Sequence, residues 1–161
     1  MTRVCRVVTS DSILLKEKED ESRDLFEKWA ESKGFIPESY YIGNSLVGIR
    51  DTVARLLLGG CRLVIVTGGT GVSPRDVSVE AVRPLADKEL PGIGDIHRIV
   101  SFNEGVSTAW ASRITGFVSG DKLVLVIPGN PDALRVLLNI VSNRIEHVLD
   151  ELSGLRVHRH R

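Results

Sequence analysis

Two short glycine-containing segments are the parts of this 161-residue sequence best suited to chemistry. Thr67–Gly71 (TGGTG) follows one strongly apolar run, and Pro128–Pro131 (PGNP) follows another. Glycine permits positive φ and close backbone approach, so successive N–H groups in such segments can form a nest for an anion. Asn130 followed by proline is typical of a helix start, which also attracts anions. The pattern predicts a phosphate-bearing ligand between the two segments, and tight turns without a ligand are the alternative.

The residues after the first glycine segment add a hydroxyl and charges of both signs. The segment is neither a Walker A motif nor a GxGxxG fingerprint, because Val72-Ser73-Pro74 follows it in place of the required residues. Arg75 could clamp a phosphate, and Asp76 could hold a Mg²⁺ ion that neutralises a polyphosphate. For Asp76 the alternative is a carboxylate that only complements a helix N-terminus.

Strand-like and helix-like segments alternate along the chain, which predicts a parallel sheet covered by helices. The apolar runs predict strands at 3–9, 35–43, 62–67 and 122–127. The periodicity predicts helices at 22–33, from 46 onward, at 79–90, at 109–115 and at 131–152. Ser78 and Asn130 are expected to cap helices, and Pro91 is expected to end the helix at 79–90. In open α/β sheets ligands bind beyond the carboxyl ends of strands, so both glycine segments should lie at that edge.

Composition and the remaining polar residues narrow the class of protein. Lys plus Arg and Asp plus Glu each number 21, and this balance lacks the electrostatic footprint of a nucleic-acid binder. No apolar run approaches the roughly 20 residues of a membrane span, and no signal peptide is recognisable, so a cytoplasmic location is expected.

Cys5 and Cys61 are predicted to be buried thiols without a disulfide. His97 is expected to be a surface or capping residue and not a metal ligand. One domain is expected over 1–161, with a flexible basic tail from about residue 153.

An ordered set of motifs resembles one known family. The stretch 67–77 (TGGTGVSPRDV) resembles the signature of the MogA/MoaB family of molybdenum cofactor biosynthesis proteins. The resemblance continues at Glu80-Ala81, 89–94 (ELPGIG) and 125–133 (LVIPGNPDA), and Ser10-Asp11 fits at the end of the first strand. It covers nearly the whole chain, in order, without a large insertion.

The resemblance implies a fold, an activity and an assembly. The fold would be a three-layer α/β/α sandwich with a mostly parallel sheet, of the molybdopterin-binding-domain type. The activity would be the Mg²⁺-dependent transfer of adenylate from ATP to molybdopterin, with release of pyrophosphate. The partners would be a pterin and a nucleotide, with no nucleic acid or membrane, and the protein would form a homotrimer or homohexamer.

The resemblance also assigns roles to residues. Asp76 matches the catalytic aspartate of the family and would hold Mg²⁺. Substrate binding would fall to Thr67, Gly68, Gly69, Thr70, Gly71, Ser73, Arg75, Pro128, Gly129, Asn130, Ser10 and Asp11.

One position departs from the family pattern. An acidic residue typically follows the second strand, but this chain has Ile42-Gly43-Asn44-Ser45 there. Asn44 is predicted to be a plain helix N-cap, which keeps the capping ability of aspartate but not its charge. The missing charge keeps open the alternative of a non-catalytic molybdopterin carrier or oligomeric scaffold. A related domain acting on another nucleotide or pterin-like phosphate is a third interpretation.

Overall fold

Six strands form one mixed sheet in the computed structural model, which describes residues 1–155. The strands are β1 (Arg3–Thr9), β2 (Ile36–Ile42), β3 (Cys61–Thr67), β4 (Lys88–Leu90), β5 (Thr115–Ser119) and β6 (Lys122–Ile127). Their order across the sheet is β2-β1-β3-β6-β5-β4. β2, β1, β3 and β6 run parallel, whereas β5 is antiparallel to both β6 and β4. The predicted basic tail at 156–161 lies outside the described residues.

Helices cover both faces of this sheet. They are α1 (Asp11–Leu14), α2 (Arg23–Ser32), α3 (Leu46–Leu58), α4 (Ser78–Val82), α5 (Pro91–Asn103), α6 (Pro131–Val141) and α7 (Ile145–Leu152). One core lies between the sheet and α2, α5, α6 and α7, and a second lies between the sheet and α3 and α4. The three-layer α/β/α fold is therefore confirmed. Within residues 1–155, no helix combines the length and apolarity needed to cross a bilayer.

Successive side chains along a strand point to opposite faces of the sheet, so β1, β3 and β6 each contribute apolar side chains to both hydrophobic cores. In β1, Val4 faces one core and Cys5 faces the other, as successive side chains of a strand must. The register sets Val8 beside Thr67 and Thr67 beside Ile127. The carboxyl ends of β1, β3 and β6 therefore meet at one edge, and the segments that follow these strands come together there.

The predicted helix at 79–90 is wrong. α4 ends at Val82, residues 83–85 form a 3₁₀ turn, and β4 pairs with β5. Pro84 has no N–H with which to continue the helix, and strand pairing across the sheet overrides local helix propensity. Pro91 begins α5 at its first turn instead of ending a helix. Ser78 is the first residue of α4 and makes no side-chain cap, because Val77 holds the N-cap position.

Two further helices also differ from the prediction. Residues 109–111 form only a 3₁₀ turn, and Thr115 already belongs to β5. The predicted helix at 131–152 is divided into α6 and α7. At the break, the Ser142 hydroxyl donates to the Leu138 carbonyl and accepts from Trp29 Nε1 at 2.9 Å. Such back-bonding competes with the helix ladder, which favours a break here.

The two cysteines are buried as predicted, but they are not free thiols. Cys5 of β1 and Cys61 of β3 form a disulfide, with their Cα atoms 6.0 Å apart. Residues 56 apart in sequence meet because β1 and β3 are adjacent. Cys61 begins β3, so the disulfide lies toward the strand ends opposite the glycine segments.

Candidate functional site

The two glycine segments form turns that touch. The Gly68 N–H donates to the Ile127 carbonyl at 2.8 Å. A Cβ placed on Gly129 would lie 3.2 Å from the Gly68 Cα, so the backbones are in close contact. Gly68 and Gly69 have φ values of 103° and 74°, a region that favours glycine. The expected approach of the two turns at the carboxyl edge of the sheet is therefore confirmed.

The backbone N–H groups of these turns are largely unused. Within residues 1–155 no acceptor pairs with the N–H groups of Gly69, Thr70, Gly71, Val72, Gly129 and Asn130. The Asn130 side chain accepts from the Ala133 N–H at 2.8 Å, which confirms it as the N-cap of α6. Unpaired donors beside a helix N-terminus form the arrangement that binds phosphate in many proteins.

A groove of about 390 Å³ opens in front of these amides. Of the predicted residues, it is lined by Gly69, Thr70, Gly71, Asp76, Pro128, Gly129 and Asn130. The opposite wall comes from the segment 106–112, which sequence reasoning did not assign to the site. Part of that segment was predicted as a helix at 109–115, and only its small polar residues could have signalled a ligand wall. Ser112 Oγ in this wall is buried and has no hydrogen-bond partner within residues 1–155.

Asp76 lines the groove and lies on a short turn. Its Oδ2 accepts from the Ser73 N–H at 3.0 Å, and the Ser73 hydroxyl accepts from the Arg75 N–H at 3.1 Å. A Cβ on Gly71 would lie 2.7 Å from Asp76 Oδ2, so only glycine lets the carboxylate sit against the backbone there. Asp76 Oδ1 accepts no hydrogen bond from the described residues and is free to bind a cation.

Asp11 lies between Asn44 and Arg75. Its Oδ1 accepts from the Asn44 N–H at 3.1 Å, and its Oδ2 pairs with Arg75 Nη2 at 3.2 Å. Asn44 is not the N-cap of α3, because the Ser45 hydroxyl accepts from the Gly48 N–H and performs that role. Asn44 instead meets Asp11 through its backbone, since the end of β2 turns toward the start of α1. Arg75 is turned toward Asp11 and does not line the groove.

The other predicted residues support the turns from behind or from the side. Thr67 is buried, and its carbonyl accepts from the Thr9 hydroxyl at 3.0 Å. The Ser10 hydroxyl caps α1 by accepting from the Ile13 N–H at 3.3 Å. Thr67 therefore acts through its backbone carbonyl and Ser10 through its helix cap, and neither residue lines the groove.

Arg113 and Glu80 belong to the site but were not predicted as site residues, although Glu80 lies in one of the motifs that resemble the family. Arg113 Nε donates to the Gly71 carbonyl at 2.8 Å, and its guanidinium also pairs with the Glu80 carboxylate. Burial by itself would raise the pKa of Glu80, but the bonded Arg113 holds that pKa below its ordinary value. Glu80 therefore stays ionised at neutral pH, and the ion pair is maintained.

His97 is buried and is not the surface residue that was predicted. Its Nε2 bonds the Ala133 carbonyl at 2.8 Å, and its Nδ1 lies 3.2 Å from the Ser101 hydroxyl. Burial lowers the pKa of His97, so the neutral ring joins α5 to the first turn of α6. Both ring nitrogens have hydrogen-bond partners among the described residues.

One carboxylate, that of Asp76, lines the groove, and the described residues form no closed metal cage there. Within residues 1–155, the one three-residue group of Cys, His, Asp or Glu with ligand atoms close together is Cys5, Glu38 and Cys61. It lies away from the groove, and its sulfurs are joined in the disulfide. Mg²⁺ is usually held by one or two carboxylates together with substrate phosphates, and Asp76 and Asp11 at the carboxyl edge provide oxygen ligands of that kind.

An α/β sheet with unpaired amides and a carboxylate at the carboxyl ends of its parallel strands is typical of domains that bind a phosphate-bearing small molecule. Comparison with known proteins agrees. The family model described as "Probable molybdopterin binding domain" matches residues 5–147. The chain is 34% identical over 155 residues to molybdenum cofactor biosynthesis protein B of Bacillus subtilis (strain 168), covering 92% of this chain and 89% of that protein.

Solved structures show the same fold over nearly the full length. A molybdopterin biosynthesis protein from Mycobacterium abscessus superposes with a TM-score of 0.86 at 32% identity, covering 97% of this chain and 99% of that one. The tungsten cofactor synthesizing protein MoaB from Pyrococcus furiosus gives a TM-score of 0.85 at 25% identity, covering 94% and 97%. The chain belongs to the MoaB/MogA family of molybdenum cofactor biosynthesis proteins.

Replacing Gly68 by alanine should damage the turn. The added Cβ would meet Thr9 Oγ1 at 2.5 Å and the Thr9 carbonyl oxygen at 2.7 Å, on a residue with positive φ. We expect Gly68→Ala to lower the free energy of unfolding by about 1–3 kcal/mol, measured by urea denaturation. Gly92→Ala is the control, because nothing lies within 4 Å of its Cβ position. Equal stability of the two variants would contradict the described turn.

Proposed function

We propose that this protein transfers adenylate from Mg-ATP to the terminal phosphate of molybdopterin and releases pyrophosphate. The observation that carries the proposal is the set of unpaired amides on two touching turns, with Asp76 beside them. A reaction between two phosphate esters needs many donors to phosphate oxygens in one place, which this groove offers.

In this reaction a phosphate oxygen of the pterin attacks the α-phosphorus of ATP, and pyrophosphate leaves. Both reactants are anionic, so positioning and neutralisation of charge contribute more than covalent catalysis. The amides of 69–72 and of Gly129 and Asn130 would bind phosphate oxygens, assisted by the N-terminus of α6. Ser112 would donate its unpaired hydroxyl to the ligand from the opposite wall.

Two carboxylates are suited to organise Mg²⁺, and the ion would neutralise the polyphosphate when bound. Asp76 would hold it through the free Oδ1, because Oδ2 is committed to the Ser73 N–H. Asp11 provides a second carboxylate at the carboxyl edge of the sheet, in contact with the backbone of Asn44. Asp11, once released from its ion pair with Arg75, would supply the negative charge that the Asn44 side chain lacks.

Asp76→Asn tests the catalytic role. The amide keeps the size of the side chain but loses its charge, so we expect kcat for adenylyl transfer to fall about 100-fold. The assay follows adenylylated molybdopterin and pyrophosphate after mixing protein, Mg-ATP and molybdopterin. Asp51→Asn is the matched control, because Asp51 is exposed on α3 and, within residues 1–155, pairs only with Arg55. Undiminished transfer by Asp76→Asn, or no product from the wild type, would refute the proposal.

A non-catalytic molybdopterin carrier is the second candidate, and the neutral Asn44 is the observation that favours it. A carrier would bind molybdopterin without turning over ATP, and Asn44→Asp would create activity. If Asp11 already supplies the charge, the wild type is active and Asn44→Asp gains nothing in kcat. In that case Asp11→Asn should reduce kcat, and retention of full activity would show that Asp11 has no part in the reaction.

We also propose that the protein is a homotrimer or homohexamer. Ile99, Phe102 and Trp110 line one shallow apolar depression beside the groove wall, and their exposed fractions are 62%, 58% and 79%. Contiguous exposed apolar side chains of this size commonly mark an interface. A second copy of the chain would bury them.

Trp110→Glu should weaken this association, because a charge would be buried at the interface. We expect a lower molar mass than the wild type by light scattering after size exclusion. Leu58→Glu serves as the control, since Leu58 is 90% exposed on α3 and lies outside the depression. A monomeric wild type, or an unchanged mass for Trp110→Glu, would reject the assembly through this surface.

A further inference from the structure

Arg113 binds the first glycine turn at three carbonyl groups. Its own N–H donates to the Thr70 carbonyl at 2.8 Å, and its Nε donates to the Gly71 carbonyl at 2.8 Å. Its Nη2 donates to the Asp76 carbonyl at 2.9 Å. One residue thus holds both ends of the loop that carries the carboxylate.

Because of the geometry of the peptide bond, these contacts determine the direction in which the neighbouring N–H groups point. In a trans peptide the carbonyl and the following N–H point to opposite sides, and residues 1–155 contain no cis peptide. Because the Thr70 and Gly71 carbonyls face Arg113, the N–H groups of Gly71 and Val72 face away from it. Both of these residues line the groove, whereas Arg113 does not. The arginine therefore lies behind the loop and turns its amides toward the ligand space.

The guanidinium group is suited to this position and an ammonium group is not. Arginine presents donors in a rigid planar fork, so it can bond two carbonyls and a carboxylate at fixed angles. The Glu80 carboxylate accepts from Nη1 and neutralises the charge, which keeps the cation from competing for the ligand. Lysine has one flexible charged atom and could not hold Gly71 and Asp76 in the same relation.

We infer that Arg113 is a positioning residue that sets the anion-binding amides of the 69–72 turn. The inference deepens the proposed function and rests on the same groove. It predicts that loss of the guanidinium fork weakens anion binding even though Arg113 does not line the groove.

The test measures binding of inorganic pyrophosphate to the full-length protein by calorimetry. Arg113→Met should raise the dissociation constant for pyrophosphate about tenfold or more. The measurement is made at a temperature where circular dichroism shows that the variant is folded. Arg113→Lys should also bind weakly, and it covers the case in which Arg113→Met does not fold. Added guanidinium ion, compared with sodium at equal ionic strength, should restore part of the affinity of Arg113→Met, because the Arg113 side chain is 35% exposed.

Arg50→Met is the matched control. Arg50 also donates to two backbone carbonyls, those of Ala81 and Glu80, but it does not touch the turn. A structural role alone would give both methionine variants the same loss of affinity, with no rescue by guanidinium. Unchanged pyrophosphate affinity in Arg113→Met and Arg113→Lys, or equal loss in Arg50→Met, would overturn the inference.

The same measurements separate this inference from the proposed activity. A wild type that binds pyrophosphate in an Arg113-dependent way but forms no adenylylated product would reject adenylyl transfer and support the positioning role. If the wild type forms product and the Arg113→Met variant forms it equally efficiently, adenylyl transfer is supported and the positioning role is rejected. A wild type that does not bind pyrophosphate would overturn the positioning role.

Discussion

The close contact between the turns after β3 and β6 is the constraint on which the rest of the site depends. Gly68 and Gly129 meet without side chains between them, so the backbone itself forms the floor of the groove. A Cβ on Gly68 would strike Thr9, which extends the constraint to the end of β1. Three parallel strands must end in register for these contacts to exist, and buried apolar side chains on both faces fix that register.

Unpaired amides are costly in a folded protein unless a ligand or water satisfies them. This protein keeps such groups together by bonding the carbonyls of the same loop to Arg113, which leaves the loop few other conformations. The charges around the groove are arranged in pairs, Arg113 with Glu80 and Arg75 with Asp11. Asp76 is the groove carboxylate without a cationic partner in residues 1–155, which suits it to a metal ion.

Sequence reasoning failed mainly where distant parts of the chain decide the local structure. The residues of β4 follow a helical pattern, but pairing with β5 makes them a strand. The disulfide joins cysteines whose separation along the chain gives no hint of contact. Asn44 was predicted to cap α3, but Ser45 does so, and the Asn44 backbone turns to Asp11. In each case the deciding partner lies on another element, so a local pattern contains no information about it.

The sequence by itself determined the alternation of strands and helices, the two glycine turns, the cap at Asn130 and the family. These features depend on local chemistry: apolar runs, the φ freedom of glycine and the fixed φ of proline. Only the tertiary structure decided that the segment 106–112 forms the second wall, and that Arg113 and Glu80 brace the turn. Those residues have ordinary local surroundings in the sequence. Their roles arise because the sheet order sets the start of β5 and its preceding loop beside the end of β6, whose other neighbour is β3.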